Sequence, residues 1–240
     1  MALQDARILV VGGGSGIGHA VARAALAEGA RITIASTDAG KLTAASDRLG
    51  GADTALLDLT DEAMVAAYFA TSGQFDHIVS TAGDWGRARR GPFVGMDLKD
   101  AEALFRVRFW GSTILAKHGA HCVPAGGSIT LTSGMSAFRP VKGSVMATAM
   151  AGSIEHLTYG LAVELAPVRV NAVFPGGVAT EIFRGLPDAI RQSEEARFLG
   201  QPLPRIGQPD EIAQAYLYLM KGGYTTGQII KVDGGGELSG

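Results

Sequence analysis

Cysteine is nearly missing from this chain. Cys122 is the only one in 240 residues, so no internal disulfide can staple the fold, which suits a reducing compartment. Neither sign of charge is in excess. Twenty-one Lys and Arg stand against 23 Asp and Glu, for a formal net charge of −2, and nothing supplies the basic face of a nucleic-acid binder. No apolar run reaches the roughly 18 residues that a membrane-spanning helix needs. The amino terminus, MALQDARILVV, lacks a basic region followed by a long apolar core and a small-residue cleavage site, so no secretion signal is read there. No metal-ligating cluster stands out. A cytoplasmic protein with no nucleic-acid, membrane or metal partner is the expectation.

Glycine is plentiful instead, at 34 residues, but it falls at segment ends, as turns and close backbone approaches require. Between the glycines run short β-rich segments at 7–11, 31–35, 54–59, 77–82, 128–133, 168–174 and 228–234. Several are almost continuous in Val, Ile and Leu, as strands buried on both faces must be. Segments with helical spacing alternate with them at 16–28, 40–49, 61–71, 98–121, 145–165 and 209–221. Pro167 stops one, and Pro209 sits where a first helical turn tolerates it. This alternation predicts an α/β fold, a parallel sheet with helices on both faces, and one domain over residues 1–240. Residues 183–208 are the least periodic stretch. Two readings stand for them, a lid over a cleft or an ordinary surface excursion.

The sharpest local signal is ILVVGGGSGIGHAVARAALAEGA. A strand runs into Gly12, Gly13, Gly14, Ser15, Gly16, Ile17 and Gly18, and a helix follows at once. Glycines at 12, 16 and 18 allow a tight turn, admit a pyrophosphate to the backbone N–H groups and let the helix pack close to the strand. The helix N-terminus adds partial positive charge. A glycine triad alone is weak evidence; after a first strand and before an amphipathic helix it points to a dinucleotide site.

Readers of NAD end the second strand with an acid that holds the adenosine ribose. Here Ser36 and Thr37 stand in that place, and the nearest acid, Asp38, comes two positions late. Without a carboxylate there is no repulsion against a 2′-phosphate, which favours NADP(H) over NAD(H), with Ser36, Thr37 and Lys41 around the phosphate. No arginine stands at the usual phosphate-pairing positions, and Ser36 also reads as a plain strand-end cap.

These residues and those downstream resemble the short-chain dehydrogenase/reductase family over nearly the whole length. Asp58-Leu59 matches its adenine-reading pair. STAG (80–83) stands where the family has Asn-Asn-Ala-Gly; Ala82 and Gly83 match, Ser80 and Thr81 do not. RVNAVFPGGVAT (169–180), PLPRIGQPDEIA (202–213) and GQIIKVDGG (227–235) match its later segments. The resemblance implies a Rossmann-type, doubly wound, seven-stranded parallel sheet of order 3-2-1-4-5-6-7. It implies a dinucleotide held by Gly12, Gly14, Ser15, Gly16, Ile17, Gly18, Thr81, Ala82 and Gly83. Pro175 and Gly176 would pass the nicotinamide, and Val178 and Thr180 would meet its carboxamide. It also implies a homo-oligomer, a dimer or homotetramer, built through helices 98–121 and 145–165.

The resemblance implies a tyrosine that moves the proton, a lysine four residues later that lowers the tyrosine's pKa and binds the nicotinamide ribose, a serine at the end of the fifth strand that polarises the carbonyl, and an asparagine in the preceding long helix that holds a water relay. A tyrosine titrates near 10 and needs a nearby cation to work at neutral pH. Aligning GSIEHLT and AVELAP places Ala147 at the tyrosine position and Ala151 at the lysine position. Four residues after Tyr68, Tyr159, Tyr216, Tyr218 and Tyr224 come Ser72, Val163, Met220, Gly222 and Gln228, so no shift of register restores the pair. Arg108 replaces the asparagine. Only the serine survives, as Ser133 or else Ser136. Losing acid–base catalysis costs about 10²–10⁴ in rate.

Other residues near these positions carry two readings each. Arg108 is a functional cation or a structural arginine pairing with an acid across an oligomer interface. Arg87, Arg89 and Arg90 attract an anionic substrate or form a solvated loop. Trp85 and Trp110 read as packing residues, and Arg139 and Lys142 lie just upstream of the helix. His156 is off the reacting face. Two functions compete. One is an atypical NADP(H)-dependent oxidoreductase acting on a small carbonyl, alcohol or imine-type molecule, its proton coming from water or substrate. The other is a non-catalytic NADP(H)-binding sensor or structural subunit. Engineered alanines at 147 and 151 are a third account, opposed by the independent change at Arg108.

Overall fold

The computed structural model describes residues 3–83, 91–186 and 188–239. Seven parallel strands form one sheet in the order β3-β2-β1-β4-β5-β6-β7. They are β1 (Arg7–Val11), β2 (Arg31–Ser36), β3 (Asp53–Leu56), β4 (His77–Ser80), β5 (Ser128–Thr132), β6 (Arg169–Pro175) and β7 (Ile229–Val232). This is the Rossmann-type sheet expected, with its edge strands shorter than the apolar runs suggest.

Side chains alternate across the strands, and this divides the core in two. Ile8 and Val10 face one side with α1 (Gly16–Ala27), α2 (Ala39–Arg48) and α9 (Pro209–Lys221). Leu9 and Val11 face the other side, with α3 (Glu62–Thr71), α5 (Gly111–Gly119) and α6 (Val145–Glu164). Ile8, Leu9, Val10 and Leu131 are fully buried, each burial contributing about 1.5–3 kcal/mol. Helix starts follow from short acids: Asp38, Asp61 and Asp97 cap α2, α3 and α4 (Leu98–Phe105) by accepting from Lys41, Met64 and Lys99 N–H. In α6 the buried positions 147, 150, 151, 154 and 158 make a helical stripe.

In three places the structure differs from the sequence reading or adds to it. The helix foreseen over 98–121 is broken by a π-helical turn at Arg106–Trp110, which periodicity cannot register. Residues 183–208, where the sequence shows no helical spacing, contain the end of α7 (Glu181–Arg184) and all of α8 (Asp188–Phe198). The α8 segment DAIRQSEEARF is a helix by propensity, with too few apolar residues to show a stripe. Trp110 is 56% exposed, resting edge-on against Phe109, so it is not a core packing residue within this chain.

At the opposite end of the sheet from the strand C-termini, His77, Ser128 and Arg169 are neighbours in register. His77 Nδ1 lies 2.9 Å from Ser128 Oγ. Arg169 donates to the carbonyls of Leu219 and Met220, which are orphan acceptors of the last turn of α9. Burial, reinforced by the Arg169 cation and opposed by Asp76, pushes the His77 ring down from 6.5 to about 4. The unfolded chain therefore binds the extra proton first. Stability should be full above pH 6.5 and fall as pH drops toward about 4, by about 3 kcal/mol. Urea unfolding across that range checks this, and His77→Gln should flatten the slope.

Candidate active-site cleft

The glycine turn shapes the start of the site. Gly12 (φ +89°) and Gly16 (φ +54°) occupy left-handed backbone that favours glycine. A methyl on Gly12 would stand 2.6 Å from Thr81 Oγ1, and one on Gly18 would overlap the Gly12 carbonyl oxygen and the same hydroxyl. Helix α1 thus begins hard against β1, with its N-terminus aimed across the strand ends. Thr81, a departure from the family turn, fills this junction: its N–H and its hydroxyl both donate to the Val11 carbonyl, at 2.8 and 3.2 Å.

A cleft of about 700 Å³ runs along the C-terminal strand ends. The cofactor positions assigned from sequence line it, as do Arg108, Ser133, Ser136 and Ala147, whereas Ala151 does not. At one end stand Ser36, Thr37, Asp58 and Leu59; in the middle Gly12, Gly14, Ser15, Gly16, Ile17 and Gly18; beyond them Thr81, Ala82 and Gly83; then Arg108, Ser133 and Ala147; and on the far wall Pro175, Gly176, Val178 and Thr180. Ala151 is fully buried, packed away from the cleft.

At the Ser36 end the late acid is accounted for. The Asp38 carboxylate accepts from Lys41 N–H at 3.0 Å as the cap of α2, and Asp38 N–H donates to Ser36 Oγ at 3.3 Å. Ser36 is therefore both strand-end cap and cleft wall. A Cβ on Gly14 would lie 3.6–3.7 Å from Lys41 and Ser36, so glycine, hydroxyl and lysine surround one small space. Asp58 Oδ1 accepts from Thr60 N–H and Oγ1, both at 2.8 Å, which orients its carboxylate on the turn after β3.

At the other end, hydroxyls turn to the helix that carries the alanines. Ser133, 1% exposed, donates to the Ala151 carbonyl at 3.2 Å; Ser136 donates to that of Ala147 at 3.3 Å. Behind them Thr132 Oγ1 contacts the Ser80 carbonyl and the Tyr216 hydroxyl. Burial raises the Tyr216 phenol above its ordinary value, against smaller opposing effects from Thr132 and Arg108.

Lys142 and His156 are exposed and off the cleft wall; Arg139 lines it, with Nη1 donating to the Gly236 carbonyl at 2.8 Å. Trp85, Arg87, Arg89 and Arg90 lie outside the described residues. The sequence reading missed Phe198, Gln201, Asp233 and Gly236, all on the wall. The Phe198 ring rests on Gly177, where any Cβ would overlap it. The GG pair at 176–177 carried a signal for close approach, but not for its partner, which arrives from another element. Among the described residues no group of three or more His, Cys, Asp or Glu stands together as a metal site, and no helix is long and apolar enough to cross a membrane.

A glycine cradle at the end of a first parallel strand, opening on a cleft across the sheet, defines a Rossmann-type dinucleotide-binding fold. Residues 12–237 match a family model described as enoyl-(acyl carrier protein) reductase. The chain is 33% identical to a short-chain dehydrogenase/reductase of Stachybotrys chlorohalonatus, with 98% of both chains covered. It is also similar to a small-chain dehydrogenase solved in complex with NADPH (37% identity, TM-score 0.85, 98% of this chain and 100% of that one). A third relative is the MalC reductase/Diels-Alderase of Malbranchea aurantiaca (32% identity, TM-score 0.89, 99% and 98%). The chain belongs to the short-chain dehydrogenase/reductase family of oxidoreductases, which bind a nicotinamide cofactor.

The junction at Gly18 should be the least tolerant point of the turn. Gly18→Ala should lower stability by about 2–3 kcal/mol, whereas Gly14→Ala, whose methyl has room, should change it by less than about 1 kcal/mol. Urea midpoints measured without nucleotide check both.

Proposed function

We propose that this protein is an atypical NADP(H)-dependent oxidoreductase. It transfers hydride to or from a small carbonyl, alcohol or imine-type substrate without the tyrosine–lysine pair. The observation that carries the cofactor choice is the space bounded by Gly14, Ser36 and Lys41, from which the Asp38 carboxylate is withdrawn to cap α2. Ser36 offers a hydroxyl and Lys41 a cation to a 2′-phosphate, with the Asp38 carboxylate held at the helix cap. The remaining cofactor contacts are assigned to Gly12, Ser15, Gly16, Ile17, Gly18, Thr37, Asp58, Leu59, Thr81, Ala82, Gly83, Pro175, Gly176, Val178 and Thr180.

When bound, the nicotinamide nucleotide supplies or takes up the hydride. The chain's own task is to orient the substrate and polarise it. Ser133 and Ser136 are the donors for this. The α6 carbonyls they now bond already serve as helical acceptors, so each hydroxyl gives up only a second, weaker bond when it rotates to a substrate oxygen. With Ala147 on the wall, no side-chain acid stands at the tyrosine position, and the proton comes from water or from the substrate. A preformed iminium needs none.

Residues 183–208 act as a lid over the single domain, supported by Phe183, Leu186, Arg197 and Phe198 on the cleft wall. The protein works in the cytoplasm as a homo-oligomer, a dimer or homotetramer. Leu98 and Trp110 in segment 98–121, with Val145, Tyr159 and Val163 on α6, are exposed apolar side chains that such contacts would cover. A second reading, an inactive NADP(H)-binding sensor or structural subunit, is favoured by one fact: Ser133 faces the Ala151 carbonyl and is nearly inaccessible.

Calorimetry should show NADPH binding on the order of tenfold tighter than NADH, and Ser36→Asp should remove that preference by charge repulsion. Absence of binding by either nucleotide would sink both readings. Cofactor oxidation screened against carbonyl and imine panels separates them: a signal supports the oxidoreductase, and a flat response supports the inactive protein.

A further inference from the structure

The alanine at position 151 leaves without a residue the ribose contact that the family resemblance implies for a lysine, and a different cation, Arg108, lines the cleft. Arg108 lies in the π turn Arg106–Trp110 between α4 and α5. The wider turn adds a residue to the helix, and such turns recur at functional sites. Its side chain is 6% exposed, yet it lines the cleft. The guanidinium lies flat on Gly83: a Cβ there would be 2.5 Å from Cζ and 2.7 Å from Nε. Only glycine admits it so close to the end of β4. On its other side Nη1 reaches the carbonyls of Thr132 and Ser133, both at 3.4 Å. A planar, permanently charged group thus bridges the ends of two adjacent strands.

The position along the cleft says what it meets. Sheet order carries the wall from Ser36 and Asp58 past Gly12 to Gly83, then Ser133, then Pro175. A dinucleotide with its adenosine at the first of these has its nicotinamide half at the β4–β5 ends. Of the other cations on the wall, Lys41 stands at the adenosine end, Arg139 is bonded to the C-terminal turn at Gly236, and Arg197 comes from α8. Arg108 alone of these four is set into the strand ends.

We propose that Arg108 anchors the ribose hydroxyls on the nicotinamide side of the cofactor, doing from the π turn what the absent lysine would do from α6. The assignment rests on the NADP(H) reading above. It makes Arg108 a cofactor-holding residue rather than a replacement for the asparagine relay, and it accounts for an alanine at 151 being packed out of the cleft.

Two probes test it by calorimetry: NADPH, and 2′,5′-ADP, which has the phosphorylated adenosine but no second ribose. Arg108→Met should weaken NADPH by about tenfold or more, as the loss of charged hydrogen bonds predicts. It should leave 2′,5′-ADP within about twofold, showing an intact fold and adenosine site. Arg108→Gln, which keeps a planar donor group without the charge, carries the same comparison should the Met variant melt early, and should fall between. Unchanged NADPH affinity overturns the assignment. Equal weakening of both probes also overturns it, in favour of a purely structural arginine, and so does an effect confined to substrate KM. Wild-type protein that binds neither probe sinks the NADP(H) reading itself, so the two failures are distinguishable.

Discussion

The contact between Gly18 and the Gly12 carbonyl is the constraint from which the rest of the site follows. With no side chain at either position, helix α1 starts against the end of β1, and Thr81 of the neighbouring strand end packs into the same junction. That triple approach brings three backbone segments within van der Waals reach at the sheet's C-terminal edge. It leaves the N-terminus of α1, with its unsatisfied N–H groups, facing a cleft rather than solvent. A methyl group here would separate helix from strand and remove the floor on which the remaining wall residues converge.

Beyond that floor, several polar groups are engaged within the chain itself. Asp38 caps α2 instead of facing the cleft, which leaves Ser36 and Lys41 to define the adenosine end. Ser133 and Ser136 bond the carbonyls of the two alanine positions. The two alanines also differ: Ala147 is cleft wall, Ala151 is core. A buried arginine, Arg108, enters from the opposite helix. The Ser133 and Ser136 hydroxyls can rotate, whereas the Arg108 guanidinium is held by backbone carbonyls and a glycine face.

Much of this was legible beforehand because it depends on local pattern. Continuous Val, Ile and Leu runs, period-3.6 stripes and the spacing of Gly12, Gly16 and Gly18 each record a local steric or burial demand. The seven-stranded order was anticipated from these and the family likeness, as were about half of the residues that line the cleft. Helix α8 was missed because its sequence is helical by propensity alone. The π turn was missed because an inserted helical residue leaves the apolar pattern of a long helix nearly unchanged. Phe198, Gln201 and Asp233 carried no local mark of function.

The sequence by itself determined the sheet, the dinucleotide turn and the absence of any Tyr-x-x-x-Lys pair, because each is a matter of which residue types stand at which spacing. Tertiary structure decided where the surviving groups point. It sent the Asp38 carboxylate to a helix cap, turned Ser133 to the Ala151 carbonyl, laid the Arg108 guanidinium on Gly83 and separated Ala147 from Ala151. Those outcomes rest on contacts between residues about 20 to 25 positions apart or on competition among nearby acceptors, and neither leaves a periodic trace in the chain.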